Sequence, residues 1–350
     1  MYQIKLMGLA GLCASLITPC VSAAVQGQSF SHGDWELSCD NTGTCRAAGY
    51  QSDDDFENMV SVLLTRKAGA GTSVQGEFTM TVDDEKTVIP KQYTLKINGQ
   101  SYGKVLNDRD DTTVLNPQQV QALIKSAKAN TKIVFDAGKN SRVLSDQGLS
   151  AVLLKMDEFQ KRIGTSSALI KKGNKSEQNV LKAVPMPVVV HQAAIKGKKT
   201  EYKLQSAEAK RIQSVLKSST HEDNCPILFG GESFESDRLT VTPLTRDKSL
   251  VTSPCWSGAY NFGSGAWVVN RELTKVLQMV SESVSEDETT VLYANHKGRG
   301  IGDCWSMESW VWNGQRFVQT LDATTGMCKG FAGGAWNLPT VIAEVKGLAR

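Results

Sequence analysis

The residues with the most chemical potential lie near the C-terminus, where Gly302-Asp303-Cys304-Trp305 places a thiol between an acid and a tryptophan. In some thiol proteases the nucleophilic cysteine is followed by a tryptophan in this way, so Cys304 is a candidate reactive thiol. Those enzymes carry their histidine base roughly 130–150 residues downstream, and no histidine follows Cys304. The alternative is that Cys304 forms a structural disulfide, and the other cysteines bear on that choice.

The cysteine pattern favours disulfides. Two of the eight cysteines, Cys13 and Cys20, lie in an apolar N-terminal stretch, and six remain: Cys39, Cys45, Cys225, Cys255, Cys304 and Cys328. An even number is typical of a disulfide framework in an oxidising compartment. Short sequence separation favours the pairs Cys39–Cys45, Cys225–Cys255 and Cys304–Cys328. No Cys-x-x-Cys step occurs and the four histidines form no ligand pattern, so we predict no metal site.

The N-terminus predicts export. Lys5 is followed by an apolar stretch without acids, and Val21-Ser22-Ala23 offers the small residues that a signal peptidase reads. We therefore predict a signal peptide at residues 1–23 and a periplasmic or secreted mature chain. No other apolar run is long enough for a membrane helix, so we predict no integral membrane segment.

The net charge and the absence of known motifs argue against several classes of function. The formal net charge is +3, too small to indicate a nucleic-acid-binding protein, and we predict no nucleic-acid partner. The glycine patterns of nucleotide-binding loops and the motifs of serine hydrolases and zinc proteases are absent from the sequence. We predict no cofactor and nominate no catalytic residue.

Hydrophobic periodicity predicts the elements that would position any site. In the first half, strands are predicted at residues 60–65, 77–82, 93–97 and 131–135, followed by a helix capped by Asn116 and a helix striped by apolar residues from Leu149 to Phe159. In the second half we predict a helix through Ala209 and Leu216, and strands at 238–244, 266–269 and 289–294.

Two local predictions concern the C-terminal half. Asn270 is predicted to cap a helix whose stripe is Leu273, Val276, Leu277, Val280 and Val284. Asn313-Gly314 predicts a tight hairpin that pairs Trp312 with Gln315, Val311 with Arg316 and Trp310 with Phe317. Alternation then puts Trp310, Trp312 and Phe317 on one face, and Val311 and Val318 on the other.

These elements predict an α+β protein of two β-rich domains, each with packed helices, sandwich-like and stapled by disulfides. The predicted N-terminal domain covers residues 24–172 and contains two helices. A basic, proline-containing linker follows at 173–203. The C-terminal α+β domain, with the tryptophan-rich hairpin, covers 204–350.

Three stretches carry a resemblance to a known family. They are "SHGDWELSCDNTGTCRAAGY", "LSAVLLKMDEFQKRIGT" and the terminal "CW…WVWNGQRF…MCKG…WNLP". Together with the six cysteines they resemble the exported proteobacterial family known as domain of unknown function 1176, across nearly the whole mature chain. The first half is also similar to the secreted, β-rich invasion-associated locus B family. The resemblance implies export and brings no catalytic residue.

Tryptophan placement suggests where a ligand would bind. Six of the seven tryptophans lie after residue 255, and tryptophan is enriched both in binding hot spots and in cores. Trp256 and Tyr260, in a Gly-rich loop segment, are the leading candidate binding residues, and Trp310 and Trp312 are candidates with core packing as the alternative. We expect a non-enzymatic binding module for an envelope glycan, a peptidoglycan fragment or a protein. The alternative is a cell-wall or glycan hydrolase with an unrecognised active site.

Overall fold

The computed structural model describes residues 24–55, 58–81, 90–107, 112–128, 130–233 and 236–348. The predicted signal peptide at 1–23 lies outside these residues. The helices are α1 (Pro117–Ser126), α2 (Leu149–Phe159) and α3 (Ala207–Leu216). The strands, in chain order, are β1 (Gln28–His32), β2 (Trp35–Cys39), β3 (Cys45–Tyr50), β4 (Val60–Arg66), β5 (Val74–Met80), β6 (Gln92–Ile97), β7 (Gln100–Leu106), β8 (Thr113–Leu115), β9 (Ile133–Asp136), β10 (Arg142–Leu144), β11 (Val188–Val190), β12 (Thr200–Lys203), β13 (Arg238–Pro243), β14 (Lys248–Ser257), β15 (Phe262–Asn270), β16 (Val276–Val284), β17 (Glu286–Asp287), β18 (Val291–Lys297), β19 (Trp305–Trp312), β20 (Phe317–Thr324), β21 (Leu338–Ile342) and β22 (Glu344–Lys346).

Two antiparallel sheets and two helices enclose the core of the first half. One sheet has the order β1-β2-β3-β4-β5-β8 and the other has the order β10-β9-β6-β7. Side chains alternate between the faces of a strand, so Trp35 and Leu37 of β2 point inward and pack with Phe135 of β9 and Leu153 of α2. The predicted helix at Asn116 is confirmed: α1 begins with a capping box between Asn116 and Gln119.

Two five-stranded sheets build the second half. Their orders are β12-β13-β14-β15-β16 and β17-β18-β19-β20-β21. Leu250 and Val268 of the first sheet share a buried cluster with Trp312 of the second, so these two sheets face each other. The opposite face of the first sheet is covered by α3, through Ile212 and neighbouring residues.

The helix predicted from Asn270 is wrong. Residues 276–284 form β16, which pairs antiparallel with β15. Asn270 does act as a cap, because its Oδ1 accepts the N–H groups of Thr274 at 2.9 Å and Lys275 at 2.8 Å, but what it closes is a tight turn. Apolar residues four apart, such as Val276 and Val280, also share one face of a strand, so the pattern fits both structures and pairing with β15 decides between them.

The predicted hairpin is present with a different register. Trp312 pairs with Phe317, two residues away from the predicted partner. The Asn313 N–H donates to the Arg316 carbonyl at 3.1 Å, so the turn spans four residues and not two. A shift by an even number leaves every side chain on its predicted face. The two faces are confirmed, and their members are Trp310, Trp312 and Phe317 on one side, and Val311 and Val318 on the other.

The end of the chain packs against the first half. Trp336 donates from Nε1 to Ser61 Oγ at 2.6 Å, and Ser38 Oγ donates to the Pro339 carbonyl at 2.6 Å. These contacts cover the second face of the six-stranded sheet. The buried cluster at this junction contains Ala48, Tyr50, Met59, Leu63, Phe331, Trp336 and Leu338.

The segment predicted as a linker, 173–203, contains ordered strands. β11 pairs in parallel with β22 near the C-terminus, and β12 pairs with β13. The fold is therefore mostly β with a few helices, as predicted, while the division into two domains and the sandwich arrangement stay predictions. Among the described residues, no helix has the length and apolar character that crossing a bilayer requires.

Candidate functional site

Cys304 is bonded to Cys328. The described cysteines form the three predicted disulfides, Cys39–Cys45, Cys225–Cys255 and Cys304–Cys328, so Cys304 offers no thiolate to attack a substrate. Three disulfides are characteristic of an extracytoplasmic protein.

Asp303 lies within 4.8 Å of both sulfurs of the Cys304–Cys328 disulfide. This group is not a metal site, because oxidised sulfurs provide no thiolate ligand. The Asp303 carboxylate instead accepts from the Arg299 Nε at 2.7 Å and from the Gly330 N–H at 2.7 Å. The acid therefore holds two loops together beside the disulfide.

Trp310 and Trp312 are core residues, which corrects their candidacy for binding. They are 6 % and 0 % exposed and pack between the two C-terminal sheets. Trp312 lies 5.4 Å from Phe317, ring centroid to ring centroid. Because side chains this buried offer almost no surface to a ligand, Trp256 and Tyr260 remain as candidates.

Trp256 and Tyr260 lie in a region that we call the aromatic loop face, which contains Trp256, Tyr260 and Phe262 of the β14–β15 hairpin, and His296 and Trp305 at the two ends of the β18–β19 connection. It lies where the β14–β15 loop meets the β18–β19 loop. The Asn261 side chain joins the two loops, since its amide donates to the Lys297 carbonyl at 2.8 Å and its Oδ1 accepts the Lys297 N–H at 3.0 Å. These two hydrogen bonds therefore hold the two loops together.

Trp256 is half-buried within this face. Its ring lies across Gly263, where a Cβ would overlap the indole, and its centroid is 5.1 Å from that of His296 on β18. Its Nε1 donates to Ser283 Oγ at 3.3 Å. Trp256 thus connects both C-terminal sheets and has a structural role besides any contact with a ligand.

The exposed part of the face is formed by Tyr260 and Phe262, at 50 % and 38 %. Ile301 in the neighbouring loop is 68 % exposed. Lys297 places its Nζ 5.5 Å from the centroid of the half-buried Trp305 ring. Tyr260 lies beside the β18–β19 loop, since a Cβ on Gly300 would be 3.8 Å from its ring. The junction of the two loops therefore offers an exposed ring and the Lys297 cation.

A second candidate site is the groove between the two halves, which has a volume of about 420 Å³. One wall comes from β1 and β2, and the other comes from β20 and β21. Polar lining residues include Ser29, Ser31, Glu36, Asp322, Thr324 and Thr340. Interfaces between structural units are common places for ligand sites.

Glu36 of β2 lines the groove. Its Oε1 accepts from the Tyr50 hydroxyl at 2.7 Å and from the Met327 N–H at 2.6 Å. Burial raises the pKa of the Glu36 carboxyl above its usual range, and the two hydrogen bonds oppose that rise.

The opposite wall contains Asp322, which is one member of a pair of like charges. Asp322 on β20 lies directly across from Glu308 on β19. Burial, and then the negative charge of Asp322, raise the pKa of Glu308, while a hydrogen bond from the Gln319 amide at 3.0 Å lowers it. Neither carboxylate forms an ion pair with a described residue.

Sequence reasoning missed the groove because its walls are nearly 300 positions apart in the chain. Glu36 and Asp322 have no common motif, and neither stands next to another chemical group in the sequence. The one local signal is that Glu36 is the acid inside the otherwise buried strand WELSC. Buried acids of this kind often belong to sites.

A family model described as "Protein of unknown function (DUF1176)" matches residues 29–343, which include both candidate sites. The chain belongs to the DUF1176 family. Its curated relatives include an uncharacterized protein, YpfG, of Escherichia coli (strain K12), which is 27 % identical over 362 residues, covering 92 % of this chain and 95 % of YpfG. No solved structure matches this DUF1176 chain.

Proposed function

We propose that this chain is an exported envelope protein, periplasmic or secreted, that acts as a non-enzymatic binding module for a glycan such as a peptidoglycan fragment. The aromatic loop face is the proposed binding surface. The observation that carries the proposal is the double hydrogen bond between Asn261 and Lys297, which fixes the loop of exposed Tyr260 to the end of the strand that carries Lys297.

The chemistry of a sugar fits this surface. A pyranose ring presents C–H groups on one face and hydroxyls at its rim, so it packs on an aromatic ring while its edge makes hydrogen bonds. Tyr260 supplies a ring with a hydroxyl, and Lys297 supplies a cation for acidic groups at the rim. Because the loops are braced, less conformational entropy is lost when a ligand binds.

Binding of soluble peptidoglycan fragments, measured by calorimetry and by tryptophan fluorescence, tests the proposal. Tyr260→Ala should weaken binding about tenfold, the typical effect of removing an aromatic hot spot, whereas Tyr260→Phe should retain most of the affinity. Ile195→Ala is the matched control, because Ile195 is 44 % exposed on the same half of the chain and lies outside the face. Equal binding by Tyr260→Ala and the unmodified protein would refute this site.

Trp256→Ala is a poorer test of binding than Tyr260→Ala. The Trp256 ring packs on Gly263 and His296 and donates to Ser283, so its removal should also lower stability by about 2 kcal/mol, less than the truncation of a fully buried tryptophan. A change in ligand binding by this variant can therefore be interpreted only together with its melting temperature.

The hydrolase alternative has one observation in its favour, the two carboxylates Glu36 and Asp322 in the groove. A glycosidase needs an acid with a raised pKa and a second carboxylate on the other side of the scissile bond. We rank this function second, because the Glu36 Oε1 already accepts two hydrogen bonds, one from Tyr50 in the same sheet and one from Met327 that joins the halves. The test is whether the protein releases reducing ends from purified cell wall. Activity that is lost in both Glu36→Gln and Asp322→Asn would favour the hydrolase over the binding module.

A further inference from the structure

The groove between the halves has properties that the aromatic loop face does not explain. We propose that it is a docking site for an extended peptide with lysine or arginine side chains, which adds as a strand to β1 and places a cationic side chain against Asp322, the residue directly across from Glu308. This binding function is independent of the glycan proposal, because it uses a different surface and a different class of ligand.

The first observation is an open sheet edge. β1 is the outermost strand of the six-stranded sheet and pairs only with β2. On its other side, the backbone of residues 28–32 makes no backbone hydrogen bond to any part of the chain that the structure describes. Its sequence, QSFSH, has no proline or lysine of the kind that usually protects an edge. An open edge of this type accepts a further strand.

The second observation is a like-charge pair without a counterion. Asp322 and Glu308 are directly opposite each other on adjacent strands, an arrangement that destabilises a sheet. In the described part of the chain, the Asp322 carboxylate has neither an ion pair nor a hydrogen bond, and Glu308 has only the Gln319 amide. The mutual repulsion contributes to the raised pKa of Glu308. A cation in the groove would remove this repulsion.

The third observation is that β1 and Asp322 line the same cavity. Ser29 and Ser31 of β1 line the groove from one side and Asp322 lines it from the other. The volume of about 420 Å³ is that of a site for a small ligand or a few residues of peptide. In an extended peptide, alternate side chains point to opposite faces, so one set of alternate side chains would point toward the wall that contains Asp322.

The probe is a short capped peptide of alternating lysine and valine, added to the full-length mature protein at low salt and followed by fluorescence anisotropy. We expect binding that Asp322→Asn weakens roughly fivefold, the effect of one lost charge pair. Glu222→Gln is the matched control, since Glu222 is exposed, outside the groove, and carries the same charge. Its affinity should equal that of the unmodified protein.

Two control peptides separate the proposal from simple charge attraction. A peptide with N-methyl groups on alternate amides keeps its charge but cannot pair with a strand edge, and it should lose binding. A peptide with glutamate in place of lysine should not bind. The proposal would be overturned if either control peptide bound as tightly as the lysine–valine peptide. It would also be overturned if Asp322→Asn melted like the unmodified protein and bound the peptide equally well. A groove that binds or cleaves glycan strands, or that joins two copies of this chain through β1, would overturn it as well.

Discussion

Glu308 and Asp322 are a pair of like charges that the assignment of strands alone does not reveal. Both are half-buried on neighbouring strands, and neither forms an ion pair with a described residue. A stable protein retains such a pair at a cost in free energy. Removing one charge is therefore expected to stabilise the unliganded protein.

The Asp322→Asn variant should raise the free energy of unfolding by about 0.5 kcal/mol at neutral pH and lower the pKa of Glu308 toward its ordinary value. Urea denaturation measures the first effect, and an NMR titration of the side-chain carboxyls measures the second. Glu222→Gln should change neither quantity. A less stable Asp322→Asn protein with an unchanged Glu308 pKa would mean that Asp322 has a stabilising partner.

Glu36 predicts a pH dependence of stability. Its pKa in the folded protein is raised above the ordinary value of 4.5, so between these two pKa values the folded state binds more protons than the unfolded state. The contribution of Glu36 to the free energy of unfolding is therefore largest at or below pH 4.5 and falls as the pH rises through the folded pKa.

The Glu36→Gln variant tests this assignment. Glutamine keeps an oxygen that accepts from the Tyr50 hydroxyl and the Met327 N–H but has no charge to desolvate, so the variant should lose this part of the pH dependence. At neutral pH it should be as stable as the unmodified protein, or more stable. Urea denaturation at several pH values is the measurement, and an unchanged slope would show that another group is responsible.

At the scale of elements, the sequence predicted the helices and strands that depend on interactions between residues close together in the chain. The helices at α1, α2 and α3 and the strands at β4 and β6 were predictable because capping residues and periodicity are local. The helix expected after Asn270 was wrong because residues spaced by four suit a strand equally well, and the partner strand β15 precedes them across a turn. The groove was not predictable, since no local pattern shows that β1 will lie near β20.

The Cys304–Cys328 disulfide lies beside the C-terminal segment that packs on the first half, and we expect it to hold that segment in place. It encloses a sequence separation of 24 residues, and Met327 and Lys329 beside it make hydrogen bonds to Glu36 and Asp34. Replacing both cysteines by alanine should lower the free energy of unfolding by about 3 kcal/mol. It should also reduce the hydrogen-exchange protection of the Met327 amide.

The matched control is alanine replacement of Cys39 and Cys45. That disulfide closes a sequence separation of 6, so its loss should cost about 2 kcal/mol and leave the Met327 amide protected. If the Met327 amide exchanges equally in both double variants, the Cys304–Cys328 disulfide does not act specifically on this segment.

At the scale of the whole molecule, the two halves share a core. Trp336, Leu338 and Phe331 cover one face of the first sheet, and Lys329 places its Nζ 2.6 Å from the carboxylate oxygens of both Asp34 and Asp53. Contacts of this extent couple the stabilities of the two halves.

The protein should therefore unfold in a single thermal transition, with equal calorimetric and van't Hoff enthalpies. Circular dichroism and tryptophan fluorescence should give the same midpoint. Two resolved transitions would instead support independent domains divided within residues 173–203, and limited proteolysis would then release two stable fragments.

The hydrogen bond between Ser38 and Pro339 spans 301 positions of the chain, and this separation has a consequence for the order of folding. During synthesis the first sheet emerges long before the segment that covers its second face. Until residues 327–342 arrive, Ala48, Tyr50 and Leu63 remain open to other chains. Contacts so distant in sequence slow folding and lengthen exposure to aggregation. The nascent chain is therefore expected to depend on a holding chaperone, and a chain that stops before Met327 should accumulate as an aggregate.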